Sequence, residues 1–145
     1  MKRVFVAGVF DLFHADHARM LQAAKLHDKD VYLLVGVCSD QDTILYKKKP
    51  IMTHQERMDV VASCKWVDEI IPDVPWVLTE EFLQQYEIDV VCHNGLPYDV
   101  KNTEGDILDA YGIILNTDRE VIIPRGTGIS TTELINRVAS RMNTI

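Results

Sequence analysis

His14 and His17 stand three residues apart in Gly8-Val9-Phe10-Asp11-Leu12-Phe13-His14-Ala15-Asp16-His17, a segment that follows a strand-like apolar run and ends where helical spacing begins. Strand, turn and helix N-terminus in that order form an anion-binding geometry, because free backbone N–H groups and the positive end of the helix dipole converge there. Imidazoles beside that point add directional donors without the hydration demand of an ammonium. By itself, a His-x-x-His pair equally suits half of a metal site or two ordinary surface residues. A second segment offers related chemistry. Arg125-Gly126-Thr127-Gly128-Ile129 leads into Ser130-Thr131-Thr132-Glu133, which has the spacing of a capping box. Ser130 therefore caps a helix whose N-terminal amides make another anion cradle, and the two roles are compatible.

These groups need a scaffold. Apolar runs rich in β-branched residues at 3–8, 31–37, 67–71, 88–92 and 120–123 alternate with helical spacing or helix caps. That alternation predicts a single α/β domain over 1–145, with a doubly wound, mostly parallel, five-stranded sheet. Met20, Leu21, Ala24 and Lys25 place the first helix at 17–26. Thr53-His54-Gln55-Glu56 is a capping box and opens a helix through Met58, Val61 and Ala62. Leu134, Ile135, Val138 and Met142 continue the last helix after Ser130. The polar stretch 98–105 reads as a long loop or insertion near the site. His93, at the end of a buried strand, reads as a structural histidine.

A hydrophobic fraction of 47% with 26% charged residues is an ordinary globular composition, and a net charge of −7 provides no positive field for a nucleic acid. No apolar run approaches the ~18–20 residues needed to cross a bilayer, and Met1-Lys2-Arg3 leads into a strand rather than a signal-peptide core. The expected setting is the cytoplasm. Cys38, Cys64 and Cys92 are odd in number and widely spaced, which suits buried free thiols and leaves no zinc pattern. No metal site is assigned to the protein's own side chains. Lys47-Lys48-Lys49-Pro50, a positive cluster in an acidic chain, reads in isolation as a solvated turn.

Gly8 to His17 resembles the His-x-Gly-His signature of nucleotidyltransferases with a Rossmann-like fold, and Arg125 to Thr132 is similar to their Arg-Thr-Glu-Gly-Ile-Ser-Thr-Thr signature. Val35-Gly36-Val37-Cys38-Ser39-Asp40, Glu56-Arg57, Trp66-Val67-Asp68-Glu69, Pro75-Trp76 and Leu96-Pro97-Tyr98 occur between them in the order seen in cytidylyltransferases. From Phe10 to Tyr98 the resemblance is to the catalytic domain of choline-phosphate enzymes, while Val121 to Arg125 is similar to bacterial glycerol-3-phosphate enzymes.

The resemblance implies attack by a phosphomonoester on the α-phosphorus of CTP, with Mg2+ accompanying the nucleotide and a small phosphorylated alcohol as acceptor. It implies that His14 and His17 contact the triphosphate, Lys47 bridges donor and acceptor, and Arg125 binds phosphate. Val9, Phe10, Asp40, Gly128, Ile129, Ser130 and Thr131 would line the nucleotide site. Arg57 would join them, or else form a surface ion pair on its helix. Trp76, Tyr98 and Asn94 would face the acceptor, with Tyr111 a candidate for a further aromatic. The segment Lys65-Trp66-Val67-Asp68-Glu69 resembles a dimer contact, so a homodimer is expected.

The chain departs from the pattern at several positions. Ala7 and Asn94 stand where choline enzymes carry Asp, Lys65 where they carry Arg, and Gly126-Thr127 where the family has Thr-Glu. Asp16 replaces the Gly of His-x-Gly-His, which sets a carboxylate against the triphosphate, toward the ribose or a metal ion, or at the cap of the first helix.

Overall fold

The computed structural model describes residues 1–95, 99–101, 107–126 and 128–144. In chain order these form β1 (Lys2–Gly8), α1 (Ala15–Lys25), β2 (Val31–Val37), α2 (Asp40–Tyr46), α3 (His54–Ala62), β3 (Glu69–Ile71), α4 (Glu80–Gln85), β4 (Val90–His93), β5 (Asp99–Lys101), β6 (Ile107–Asp109), β7 (Glu120–Ile122) and α5 (Thr131–Met142).

Five strands make one parallel sheet in the order β3-β2-β1-β4-β7, with Val4 opposite Leu33 on one side and Val90 on the other. Alternate residues of each strand serve opposite faces. Val4, Val6, Leu33, Val35, Val37, Val90 and Cys92 pack with Leu21 and Ala24 of α1 and Val61 of α3. Phe5, Leu34 and Val91 pack on the other face with Phe82 and Leu83 of α4 and with Ile114. Both faces are thus covered, as an all-parallel sheet requires, and the architecture is the expected doubly wound one. Burial pushes the Cys38 thiol up to about 11 and the Cys92 thiol up to about 12, so both remain protonated at neutral pH.

Two helices were not visible in the apolar spacing. α2 has seven residues and α4 six, too short for periodicity to register, and their signal lies in their caps. Ser39 accepts from the Asp42 amide and Thr79 from the Phe82 amide, with acidic residues in each first turn. α1 begins at Ala15 rather than 17 because His14 caps it. The stretch expected as a loop at 98–105 includes β5, which pairs antiparallel with β6, Val100 opposite Leu108. No described helix is long and apolar enough to cross a membrane.

The turns after β1, β2, β4 and β7 all leave the same, C-terminal edge of the parallel sheet. Ligands of doubly wound sheets bind at that edge where strand order reverses, here between β1 and β4.

Candidate active site

His14 and His17 cap α1 with imidazoles in the places usually taken by Ser and Glu. His14 Nδ1 accepts from the Asp16 N–H at 3.2 Å, and His17 Nδ1 accepts from the His14 N–H at 3.2 Å. With both Nδ1 atoms accepting, the single proton of each neutral ring belongs on Nε2. The rings stack with centroids 3.8 Å apart and 19° between planes, and His17 meets the Phe10 ring edge-on at 5.4 Å. Burial lowers the His17 pKa to about 4, helped by His14 and Arg125 and opposed by Asp16. Burial also lowers that of His14, against Asp16 and with Arg125. The pair at pH 7 is therefore two neutral Nε2–H donors, suited to phosphate oxygens and, as weak bases, poorly suited to proton abstraction.

The turn that carries them is held by a residue the motif reading did not single out. Asp11 is 8% exposed; its carboxylate accepts from the Ile51 N–H at 2.8 Å and the Met52 N–H at 2.9 Å, while its carbonyl accepts from Thr131 Oγ1 at 2.8 Å. One residue thus joins three segments: the turn after β1, the chain just after Lys47 to Pro50, and the start of α5. Its signal in sequence is only a carboxylate among Phe10, Leu12 and Phe13. Phe10 and Leu12 both have left-handed backbone, φ 55° and 50°, so this turn is strained and needs such ties.

Arg57 belongs neither to a surface ion pair nor to an open nucleotide contact. Its side chain is fully buried, with NH1 donating to the carbonyls of Val9 at 2.7 Å and Cys38 at 2.8 Å, NH2 to Asp40 Oδ1 at 2.6 Å, and Nε to the Met52 carbonyl at 3.3 Å. It is a strut beneath the β1 and β2 turns, its guanidinium spent on protein groups. Asp40, expected in the nucleotide site, also accepts from the His54 N–H at 3.2 Å.

In the second signature, Gly128 has φ +95°, a backbone that favours glycine, with nothing near where a Cβ would lie. Ser130 caps α5, accepting from the Glu133 N–H at 3.0 Å, and Thr131 is the residue bonded to Asp11. Asn94, oriented to match its neighbours, donates to the Ile123 carbonyl at 3.1 Å and accepts from Arg125 Nε at 3.3 Å. Its amide oxygen is thus a partner of Arg125. Asp16 neither caps α1 nor stands alone; its Oδ1 accepts from the Gly126 N–H at 2.9 Å. Asp16, Arg19, Asn94 and Arg125 line a cleft of about 200 Å³.

Lys47 ends α2 and is exposed, with Nζ 5.8 Å from the centre of the Trp76 ring. Tyr46, unmarked in the sequence reading, stacks on that ring at 5.2 Å and 18°. Tyr98, the second expected cage aromatic, and Thr127 lie outside the described residues. Tyr111 is buried and stacked on His93 at 4.9 Å, a core position rather than a cage wall. His93 is 4% exposed, donates from Nε2 to Glu120 at 2.7 Å and accepts at Nδ1 from the Gly95 N–H at 2.9 Å, as a structural histidine should.

Known proteins share this arrangement of segments. Choline-phosphate cytidylyltransferase 2 of Arabidopsis thaliana is 45% identical over 141 residues, 97% of this chain and 46% of that protein. Ethanolamine-phosphate cytidylyltransferase of Arabidopsis thaliana is 37% identical over 141 residues, covering 94% of this chain and 32% of that protein. The chain thus spans less than half the length of these relatives. A crystal structure of a lipopolysaccharide core biosynthesis protein from Thermoplasma volcanium superposes with a TM-score of 0.63 at 25% identity, over 87% of this chain and 98% of that one. Residues 5–137, which run from the first sheet strand into α5 and include both signatures, match the cytidylyltransferase-like family, and the chain belongs to it.

Proposed function

We propose that the chain transfers CMP from CTP to phosphocholine, giving CDP-choline and pyrophosphate for phospholipid synthesis. An oxygen of the acceptor phosphate attacks the α-phosphorus, the bond from that phosphorus to the oxygen bridging to the β-phosphorus breaks, and the released electron pair leaves with pyrophosphate. No covalent enzyme intermediate is needed, so the protein's work is positioning and charge stabilisation.

The observation that carries this reading is the neutral, stacked His14–His17 pair, whose Nδ1 atoms are occupied by backbone N–H groups and whose Nε2–H groups remain as donors. In this reading they hold triphosphate oxygens, Arg125 neutralises charge beside them, and the amides around Gly128–Thr131 cradle phosphate at the N-terminus of α5. Lys47 bridges donor and acceptor phosphates. Val9 and Phe10 form the floor of the nucleotide site, with Asp40 at its side and Arg57 supporting it from below. Mg2+ enters as part of the substrate complex with CTP, with phosphate oxygens and water as ligands. Among the described residues, no three His, Cys, Asp or Glu side chains converge to hold a metal ion.

Choice of phosphocholine rests on Trp76, whose stacking on Tyr46 builds an aromatic surface already visited by the Lys47 ammonium. Relatives of both the choline and the ethanolamine type match the chain, so the acceptor is the point to test. Pyrophosphate release should be measured with CTP and phosphocholine, phosphoethanolamine or glycerol 3-phosphate. Phosphocholine is expected to show the highest kcat/KM. A higher value for either competitor reassigns the acceptor. Release with none of them, together with CTP binding by calorimetry, marks a nucleotide-binding module without catalysis.

The active form is proposed to be a cytoplasmic homodimer joined near 65–69. In this segment Asp68 and Glu69 already bond within the chain, to Lys25, the Leu33 N–H and Tyr32. Lys65 and Trp66, 4.6 Å apart as a cation–π pair, are the residues offered to a partner. Sedimentation showing only monomer at micromolar concentration would overturn the dimer.

A further inference from the structure

The hydrogen bond from Gly126 N–H to Asp16 Oδ1, 2.9 Å long, crosses 110 residues of sequence and joins the first turn of α1 to the chain just after Arg125. A Cβ added at Gly126 would overlap the same Asp16 oxygen, while the next atoms it would meet are Asp16 Cγ at 3.4 Å and Arg19 NH1 at 3.7 Å. Gly126 does not have left-handed backbone, unlike Gly95 and Gly128. Its lack of a side chain therefore answers to the carboxylate, not to a conformational need. Asp16 in turn is not needed as the cap of α1, because His14 fills that place.

We propose that Asp16 and Gly126 form a matched latch that ties the two phosphate-facing segments together, with Asp16 a positioning residue for Arg125. The geometry supports this from both sides of Arg125: Asn94 accepts from its Nε, and Asp16 holds the N–H of the residue that follows it. Loop residues restrained before substrate arrives lose less freedom on binding it, so the latch improves CTP affinity more than it alters the chemical step. It also gives the Asp16 charge a backbone donor as partner, which offsets its repulsion of a nearby polyphosphate. The kinetic consequence rests on the cytidylyltransferase reading; the latch itself does not.

The test combines a double-mutant cycle with amide exchange. In Asp16→Ala the Gly126 amide should exchange faster, and KM for CTP should rise about tenfold, the size of one hydrogen bond, with kcat changed much less. Asp16→Asn keeps an acceptor oxygen and should restore both values to within about twofold of the parent. Gly126→Ala should raise KM about tenfold beside Asp16 but add less than about twofold in an Asp16→Gly background. Equal cost of Gly126→Ala in the two backgrounds, or an unchanged Gly126 exchange rate in Asp16→Ala, overturns the latch. If the chain turns over no acceptor, the exchange rates of Asp16→Ala and Asp16→Asn still decide it, so failure of the latch and failure of the proposed activity give different results.

Discussion

Arg57, with no solvent exposure, places NH2 2.6 Å from Asp40 Oδ1, whose side chain is 44% exposed, so a buried cation reaches out to hold a carboxylate at the rim of the site. Desolvation pulls the Asp40 carboxyl upward, but the bonds from Arg57 and from the His54 N–H outweigh it and leave its pKa below the usual value. The same guanidinium satisfies the Val9 and Cys38 carbonyls, so its loss strands several groups together. Arg57→Met should destabilise the fold by about 3–5 kcal/mol, and Arg57→Lys should recover little because one ammonium cannot reproduce the planar fork. Urea denaturation of both variants checks this; a loss below about 1 kcal/mol would show that the strut is dispensable.

His17 makes the stability depend on pH in a defined direction. Its pKa is about 4 in the fold, below the ordinary 6.5, so on acidification the unfolded chain binds this proton first. The stability held by the neutral ring is complete above pH 6.5, is lost as pH falls toward 4, and changes no further below that. The slope from this group is at most about 1.4 kcal/mol per pH unit. Subtracting the stability of His17→Gln from that of the parent at each pH isolates it, and a flat difference between pH 6.5 and 4 contradicts the neutral pair.

The imidazoles also have a catalytic prediction. His14→Ala or His17→Ala should lower kcat by about 10²-fold or more while leaving a folded protein, because each removes an Nε2–H donor that the proposed reaction uses on developing charge. Stopped-time assays of CDP-choline formation check it, and near-parental rates would exclude the pair from the reaction.

Asp11 should behave as a residue that acts through others. Removing its carboxylate in Asp11→Ala frees the Ile51 and Met52 amides and loosens the chain that follows Lys47. If Lys47 bridges the phosphates as proposed, a displacement of about 1 Å in it can cost about 10² in rate, so kcat should fall by that order with smaller change in CTP affinity. Asp11→Asn retains one of two acceptors and should lie between. Rates and CTP calorimetry on the two variants decide it; equal loss in both would point to the charge rather than the tie.

Trp76→Ala should raise KM for phosphocholine by about tenfold, a loss of the size given by a partly desolvated cation–π contact, while leaving KM for CTP near the parent value. Initial-rate measurements with each substrate varied in turn check this. A larger effect on CTP would move Trp76 from the acceptor side to the nucleotide side.

Much of this molecule was legible before its shape. The five strand runs, the capping box at Thr53, the cap at Ser130 and the two separated signatures are local patterns, and local backbone preference and side-chain periodicity write them directly into neighbouring residues. The short helices α2 and α4 escaped because six or seven residues complete fewer than two turns. Arg57 lies four residues before Val61 on the buried face of α3, but its residue type and spacing do not show that its guanidinium is spent on the Val9 and Cys38 carbonyls and on Asp40.

The amino-acid sequence alone determined a doubly wound α/β chain and two turns that each lead into a helix N-terminus. Only the tertiary structure decided that burial lowers the pKa of His14 and His17, that Asn94 bonds Arg125, that Asp11 binds three segments and that Asp16 answers Gly126. Each of those depends on the distance between groups far apart in the chain, on the water excluded around them and on which lone pair is already taken. Such quantities arise from packing and have no local pattern to announce them.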